Sequence, residues 1–425
     1  MGSPSASELV IDNSSPLNAT LPSGTNGWTY YVPIGSGPTT LTGSDVGILS
    51  GTVGATFNVS GNSTVAANGG NNTVNATGTY LLSFGTGDNM VIADGSGTVA
   101  TGIGASTVVA IGTGAGNLIQ SFGTGDMINL VAGDSTVDGF GSNSTIIGGT
   151  GNLTLDIEGA GETVMPNGMS VTGTVGGSDN VVFPGTGPMD VTLTGTNNTL
   201  VGSTAATTVN ATGSDVVFGN TGFLTFVGGA GTSSILGGAG GSNDITGGDG
   251  GVLFSANVGS NSTVTGGMGT TTIFGGSGSV VTFNSSLAGG YMVASAGNET
   301  LTAAQASASV TFSGGADNAN VSMVGGSAGD VFFAGGGSDT LTGGAGADSI
   351  SFIMGNTNGG KDFITDFGSD DSLFLTGYDS TATTFSTSSN GLTMTLSDST
   401  TITFTNLTDQ SQLNGHYLYV PNTPV

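Results

Sequence analysis

Three aspartates stand nine residues apart, Asp330, Asp339 and Asp348, each sixth in a glycine-rich nonapeptide. The repeats read Gly-Gly-Ser-Ala-Gly-Asp-Val-Phe-Phe (325–333), Ala-Gly-Gly-Gly-Ser-Asp-Thr-Leu-Thr (334–342) and Gly-Gly-Ala-Gly-Ala-Asp-Ser-Ile-Ser (343–351). A carboxylate beside flexible backbone suits a hard cation. Ca²⁺ takes about six to eight oxygen ligands at about 2.3–2.6 Å. Glycines such as Gly325, Gly335, Gly337, Gly343 and Gly346 can bend carbonyls toward one point, and each Asp adds a carboxylate.

Other chemistries fare poorly. The chain has one His, one Lys, no Arg and no Cys, against 28 acidic residues and a formal charge of −27. Thiolate and disulfide chemistry is absent. A zinc-protease H-E-x-x-H motif needs two histidines, and His416 has no G-x-S-x-G elbow to serve. Nothing can neutralise a phosphate backbone, so nucleic acid is excluded as a partner. Uronate lyases lack their cationic groups. Two carboxylates suffice for a glycosidase, but Glu158 and Glu162 flank a Gly-Ala-Gly turn and read as solvated turn residues. No catalytic set is assigned. Asp88, Asp126 and Asp244 read as turn formers bonding their own backbone.

The elements that must position these aspartates are short strands. Of 425 residues 82 are Gly, and 36 % are hydrophobic. The apolar residues come in β-favouring bursts bounded by Gly, Asn, Asp or Ser, such as Val-Val-Phe (181–183) and Thr-Ile-Phe (272–274). The bursts recur about every 9 or 10 residues. Strands that short suit a parallel coil, each stacking on its copy one turn later, at about 20 residues per turn. Good helix formers are scarce, and Leu301 to Ser309 lacks an apolar stripe. No apolar run is long enough for a transmembrane helix. The expected fold is all-β, a parallel β-helix or β-roll solenoid. Ser-Phe-Gly-Thr-Gly-Asp occurs at 83–88 and again at 121–126, which suggests two turns of 19. Rows of T-x-T at every turn, the pattern of an ice-binding face, are not evident.

The third nonapeptide matches G-G-x-G-x-D-x-U-x throughout, and the others depart once each, at Ala328 and Ala334. The array resembles the RTX nonapeptide family, whose repeats bind Ca²⁺ in a parallel β-roll. Gly359-Gly360-Lys361-Asp362-Phe363-Ile364-Thr365-Asp366-Phe367 is similar to the segment closing such arrays, and Gly314-Gly315-Ala316-Asp317 could begin it. The resemblance implies two nonapeptides per turn. Asp330 and Asp348 then lie on one side, and Asp339 on the other, paired with Asp362 or Asp366. Between 228 and 283 the Asp position holds Ser233 or Thr271, which reads as metal-free coil.

The expected organisation is an N-terminal arm and cap (1–48) carrying Trp28, Tyr30 and Tyr31, a degenerate glycine-rich solenoid (49–313), a Ca²⁺ roll (314–368) and a hairpin-like β cap (369–425). The N-terminus shows no secretory signal peptide. The resemblance implies type I secretion through a C-terminal signal, folding on extracellular Ca²⁺, and an extracellular or cell-surface location without membrane insertion. Sheet edges at the ends of a solenoid invite addition of further strands. The leading expectation is a non-enzymatic extracellular structural protein, self-associating into a surface layer, biofilm-matrix fibre or filament. The alternative is a calcium-dependent adhesin for a surface or glycan such as cell-surface polysaccharide.

Overall fold

The computed structural model describes residues 8–12, 17–22, 30–34, 39–51, 54–113, 116–239, 241–284, 288–295, 297–315, 319–357 and 359–421. Trp28 and Asp317 lie outside them. The contacts divide into two units, residues 1–206 and 207–425. Each is a parallel β-solenoid, as the spacing of the apolar bursts predicts. A strand pairs with the strand after next, so each turn contributes one strand to each of two sheets. Successive turns are offset by 17 residues at Asn72, 18 at Glu162, 19 at Asn243 and 20 at Val310.

In the first unit, rungs begin at Glu8–Asp12 and Leu17–Thr20, inside the segment read as an arm. Alternation in each strand turns one side chain in and the next out, as in Met189–Leu193, where Met189, Val191 and Leu193 are buried. The inward side chains stack on their counterparts, Val108 on Val91, Ile128 on Val108 and Ile146 on Ile128. The chain turns between sheets at a left-handed corner that recurs at Gly125, Asn143, Gly161, Asp179 and Asn197, with φ between 56° and 78°. Gly has no Cβ to clash there, and Asn and Asp tolerate the conformation best among the rest.

The second unit has the same plan with larger side chains inside. Ile235, Phe254, Ile273, Met292, Phe312 and Phe332 form one buried stack. The Phe312 and Phe332 rings lie 4.8 Å apart and nearly parallel. Each such burial stabilises by roughly 1.5–3 kcal/mol. The Ala-rich stretch from Leu301 continues a strand, Glu299–Thr302, into a turn. After Ile364 the pattern changes: Thr384–Ser388, Gly391–Thr395 and Thr401–Phe404 pair antiparallel, and Thr401–Phe404 also pairs parallel with Lys361–Ile364. Among the described residues no helix is long and apolar enough to cross a membrane.

The repeated hexapeptide does not fall in register. Ser83 pairs with Ala100, and Ala100 with Gln120, so Ser121 sits one residue past the equivalent rung. One residue of slip exchanges inside for outside. Phe84 is 5 % exposed but Phe122 is 44 % exposed, and its ring stacks on Phe140 at 5.2 Å. Phe84→Ala is therefore expected to cost about 3–5 kcal/mol. Phe122→Ala, in the same six-residue context, should cost about 1 kcal/mol or less, the value of an exposed ring pair. Denaturant titration of both variants checks the register; equal losses would contradict it.

Candidate metal centre

One inward position, the residue just before each strand in one sheet, carries a polar side chain for many consecutive turns. In the first unit the column runs Asn72, Asn89, Ser106, Asp126, Ser144, Glu162, Asn180 and Asn198, all buried. Each side-chain oxygen accepts the backbone N–H of the residue one turn earlier. Asn89 Oδ1 accepts from Asn72 at 3.1 Å, Asp126 Oδ1 from Ser106 at 2.7 Å, Glu162 Oε2 from Ser144 at 2.8 Å and Asn180 Oδ1 from Glu162 at 2.7 Å. These donors sit at the corner, where the strand ladder no longer pairs them, so an inward acceptor satisfies them.

Two readings of single residues are thereby corrected. Asp126 is no turn former bonding its own backbone: it is 1 % exposed and also accepts from the Thr101 and Ser121 hydroxyls, both at 2.7 Å. Glu162 is likewise buried, and burial, followed by the charge of Asp126, pushes its carboxyl above the usual range against the Ser144 N–H. Glu158 is exposed, so the two glutamates occupy different environments. Asp88 is exposed and accepts from Ala105 N–H, and Asp244 is an exposed strand residue rather than a turn former.

In the second unit the equivalent position holds Ser233, Val252, Thr271, Gly290 and Val310, then Asp330, Asp348 and Asp371 on successive turns. Asp330 Oδ1 accepts from Val310 N–H and Oδ2 from Gly326 N–H, both at 2.7 Å. Asp348 Oδ1 accepts from Asp330 N–H at 2.7 Å, and Asp371 Oδ1 from Asp348 N–H at 2.9 Å. The other sheet carries a second pair. Asp339 takes Val321 and Gly335 N–H groups at 2.9 and 2.8 Å, and Asp362 Oδ1 takes Asp339 N–H at 2.9 Å. Asp362 is therefore the residue stacked on Asp339. Asp366 lies instead at the turn beside Asp348, accepting from Gly343 and Gly344 at 2.8 and 2.9 Å.

The glycines make room for this. A Cβ on Gly325 would overlap Asp330 Oδ2, and one on Gly343 would overlap Asp348 Oδ2. Gly337 lies against the carbonyl of Ala319, and Gly346, at φ +119°, against Ala328. Gly326, Gly335, Gly343 and Gly344 turn amide N–H groups toward the carboxylates, where the sequence suggests carbonyls.

Among the described residues, buried oxygens without a hydrogen-bond partner include Asp348 Oδ2 and Asp362 Oδ2 here and Glu162 Oε1 in the first unit. Burial pushes the Asp348 carboxyl up to about 6, helped by the charges of Asp371, Asp330 and Asp366. Burial pushes Asp362 up to about 8, helped by Asp339 and Asp398. Burial also raises Asp330. An oxygen-only donor set with stacked like charges and orphaned oxygens fits a hard divalent cation. Among the described residues no three His, Cys, Asp or Glu side chains form a metal-binding group by themselves, so further ligands would have to be carbonyls or water.

Sequence reasoning missed Asp371 and Asp398. Asp371 follows a 23-residue turn, which hides the spacing, though Gly368-Ser369-Asp370-Asp371-Ser372-Leu373 echoes the nonapeptide. Asp398 arrives through the antiparallel hairpin, beside Thr400, and has a buried, unpartnered Oδ2 of its own. His416 Nδ1 lies 3.2 Å from the Asp371 carbonyl, with its ring edge-on to Phe367. Set beside known proteins, the chain matches no family model, no curated protein and no solved structure.

The raised carboxyls have a signed consequence. Between the ordinary value of 3.8 and their folded values, Asp348 and Asp362 hold protons that the unfolded chain has released. Stability in chelator is therefore highest near pH 4 and falls as pH rises toward 8. The melting temperature in EDTA should drop by several degrees over that range. Asp348→Asn and Asp362→Asn should flatten the drop, since Asn stands in this ladder elsewhere. Stability rising with pH in EDTA would contradict the burial of these groups.

Proposed function

We propose that this protein is an extracellular, non-enzymatic structural protein of the RTX kind, which binds Ca²⁺ and self-assembles into a surface layer, matrix fibre or filament. The observation carrying this reading is the run of carboxylates on successive turns, Asp330, Asp348 and Asp371 in one sheet and Asp339 and Asp362 in the other, with orphaned oxygens on Asp348 and Asp362. Asp348 with Asp366 on one side, and Asp362 beside Asp339 on the other, would each hold an ion with carbonyls or water completing the shell, and the ions would supply neutralising charge between turns. Without it, like charges oppose stacking; with it, the folded state is favoured by mass action. Millimolar Ca²⁺, the extracellular condition, suits weak sites of this kind.

Calorimetry and electron microscopy test the reading together. Ca²⁺ should raise the melting temperature at pH 8, and ordered sheets or filaments should form in Ca²⁺ but not in EDTA. Asp348→Asn/Asp362→Asn should lose most of the Ca²⁺ response. Identical melting and monodisperse particles in both conditions would overturn the proposal.

The outer face of one sheet favours adhesion as a second reading. Thr263 and Thr265, Thr300 and Thr302, and Thr340 and Thr342 line it in pairs, interrupted by Asp244, Asn284, Ser322 and Val324. Ca²⁺-dependent binding of monomers to a glycan array, lost on replacing these threonines, would decide for it.

A further inference from the structure

The two outer faces of the second unit differ in chemistry. Opposite the threonine face, the other sheet presents a column in which Phe218, Leu236, Phe274 and Phe333 point outward, with Ser or Val at the rungs between. Leu253 and Tyr291 stand in the adjacent column, separated by Thr272. All six are large, and they are between 37 % and 53 % exposed. No acidic residue stands in either column from Val216 to Phe333.

We infer that this apolar face is the contact through which a second copy of the chain docks. The inference rests on the self-assembly proposed above and names its interface. Three observations select a copy as the occupant. The first is charge: two chains of −27 repel wherever carboxylates meet, and these columns are free of them. The second is shape. The column runs Phe218, Leu236, Ser255, Phe274, Val293, Ser313 and Phe333, so gaps at Ser255 and Ser313 break the row of large side chains. Turned over by a two-fold axis, the same face offers rings where the first offers gaps, and both repeat at the strand spacing of about 4.8 Å. The third is area. At about 200 Å² per large side chain, the six leave on the order of 500 Å² of apolar surface uncovered. That exceeds a scattered surface residue or two and, with the valines and threonines between, approaches the roughly 800 Å² per partner of a stable interface.

Sedimentation velocity of the full chain tests this, in Ca²⁺ and in EDTA, with Phe274→Ser/Phe333→Ser as the variant. Ser already stands in this column, so the fold should tolerate it; the melting curve confirms that. Phe274→Asp/Phe333→Asp adds repulsion, and Thr263→Asp/Thr300→Asp places the same charge on the other sheet. Dimers or larger species are expected for the wild type and the threonine variant, and a dissociation constant raised tenfold or more for both phenylalanine variants. If the phenylalanine variants assemble as the wild type does, this interface is wrong and self-assembly stands. If the wild type is monomeric in every condition, both fall. If it is monomeric but co-sediments with phosphatidylcholine vesicles through Phe274 and Phe333, the occupant is lipid and the inference is overturned.

Discussion

Every turn of a parallel solenoid lies on a copy of itself, about 4.8 Å away. That stacking governs the rest of this molecule. Whatever side chain occupies an inward position meets its own counterpart above and below. For Val108 on Val91, or Phe332 on Phe312, the repetition builds a continuous apolar core. For a polar residue it builds a ladder, in which each oxygen takes the N–H of the turn before, as Asn180 does from Glu162. For an aspartate it sets like charge against like charge.

The polar column is thus one device used two ways. Through the first unit, neutral Asn and Ser separate the charged members, so Asp126 and Glu162 are two turns apart with Ser144 between. Its corners need acceptors, and amides and hydroxyls supply them without electrostatic cost. Near the end of the second unit the separators vanish. Asp330, Asp348 and Asp371 follow one another directly, and the carboxyls of Asp330 and Asp348 are driven toward protonation or toward a cation. The same N–H bonds hold them, so the change concerns charge and not geometry. A cation here would strengthen a ladder the backbone already builds.

The outer faces follow the same logic without the core's constraint. Outward positions also stack, so a bias in composition becomes a stripe. In the second unit one sheet gathers Thr263, Thr265, Thr300 and Thr302, and the other gathers Phe218, Leu236, Phe274 and Phe333. Neither stripe is visible along the chain, where successive members of a column lie a full turn or more apart.

The chain alone determined the class of fold, because short Val- and Ile-rich bursts every 9 or 10 residues, hinged by glycine, have few ways to bury themselves except by winding. It also determined that Asp330 and Asp348 stack, since their 18-residue spacing equals a local turn. Register was left to the tertiary structure. Turn lengths drift from 16 to 23 residues, and one residue of drift reverses in and out. So identical hexapeptides bury Phe84 and expose Phe122, Asp126 enters the column while Asp88 stays outside, and Asp371 joins a carboxylate column and Asp398 comes near Asp362 from sequence positions that no fixed period predicts.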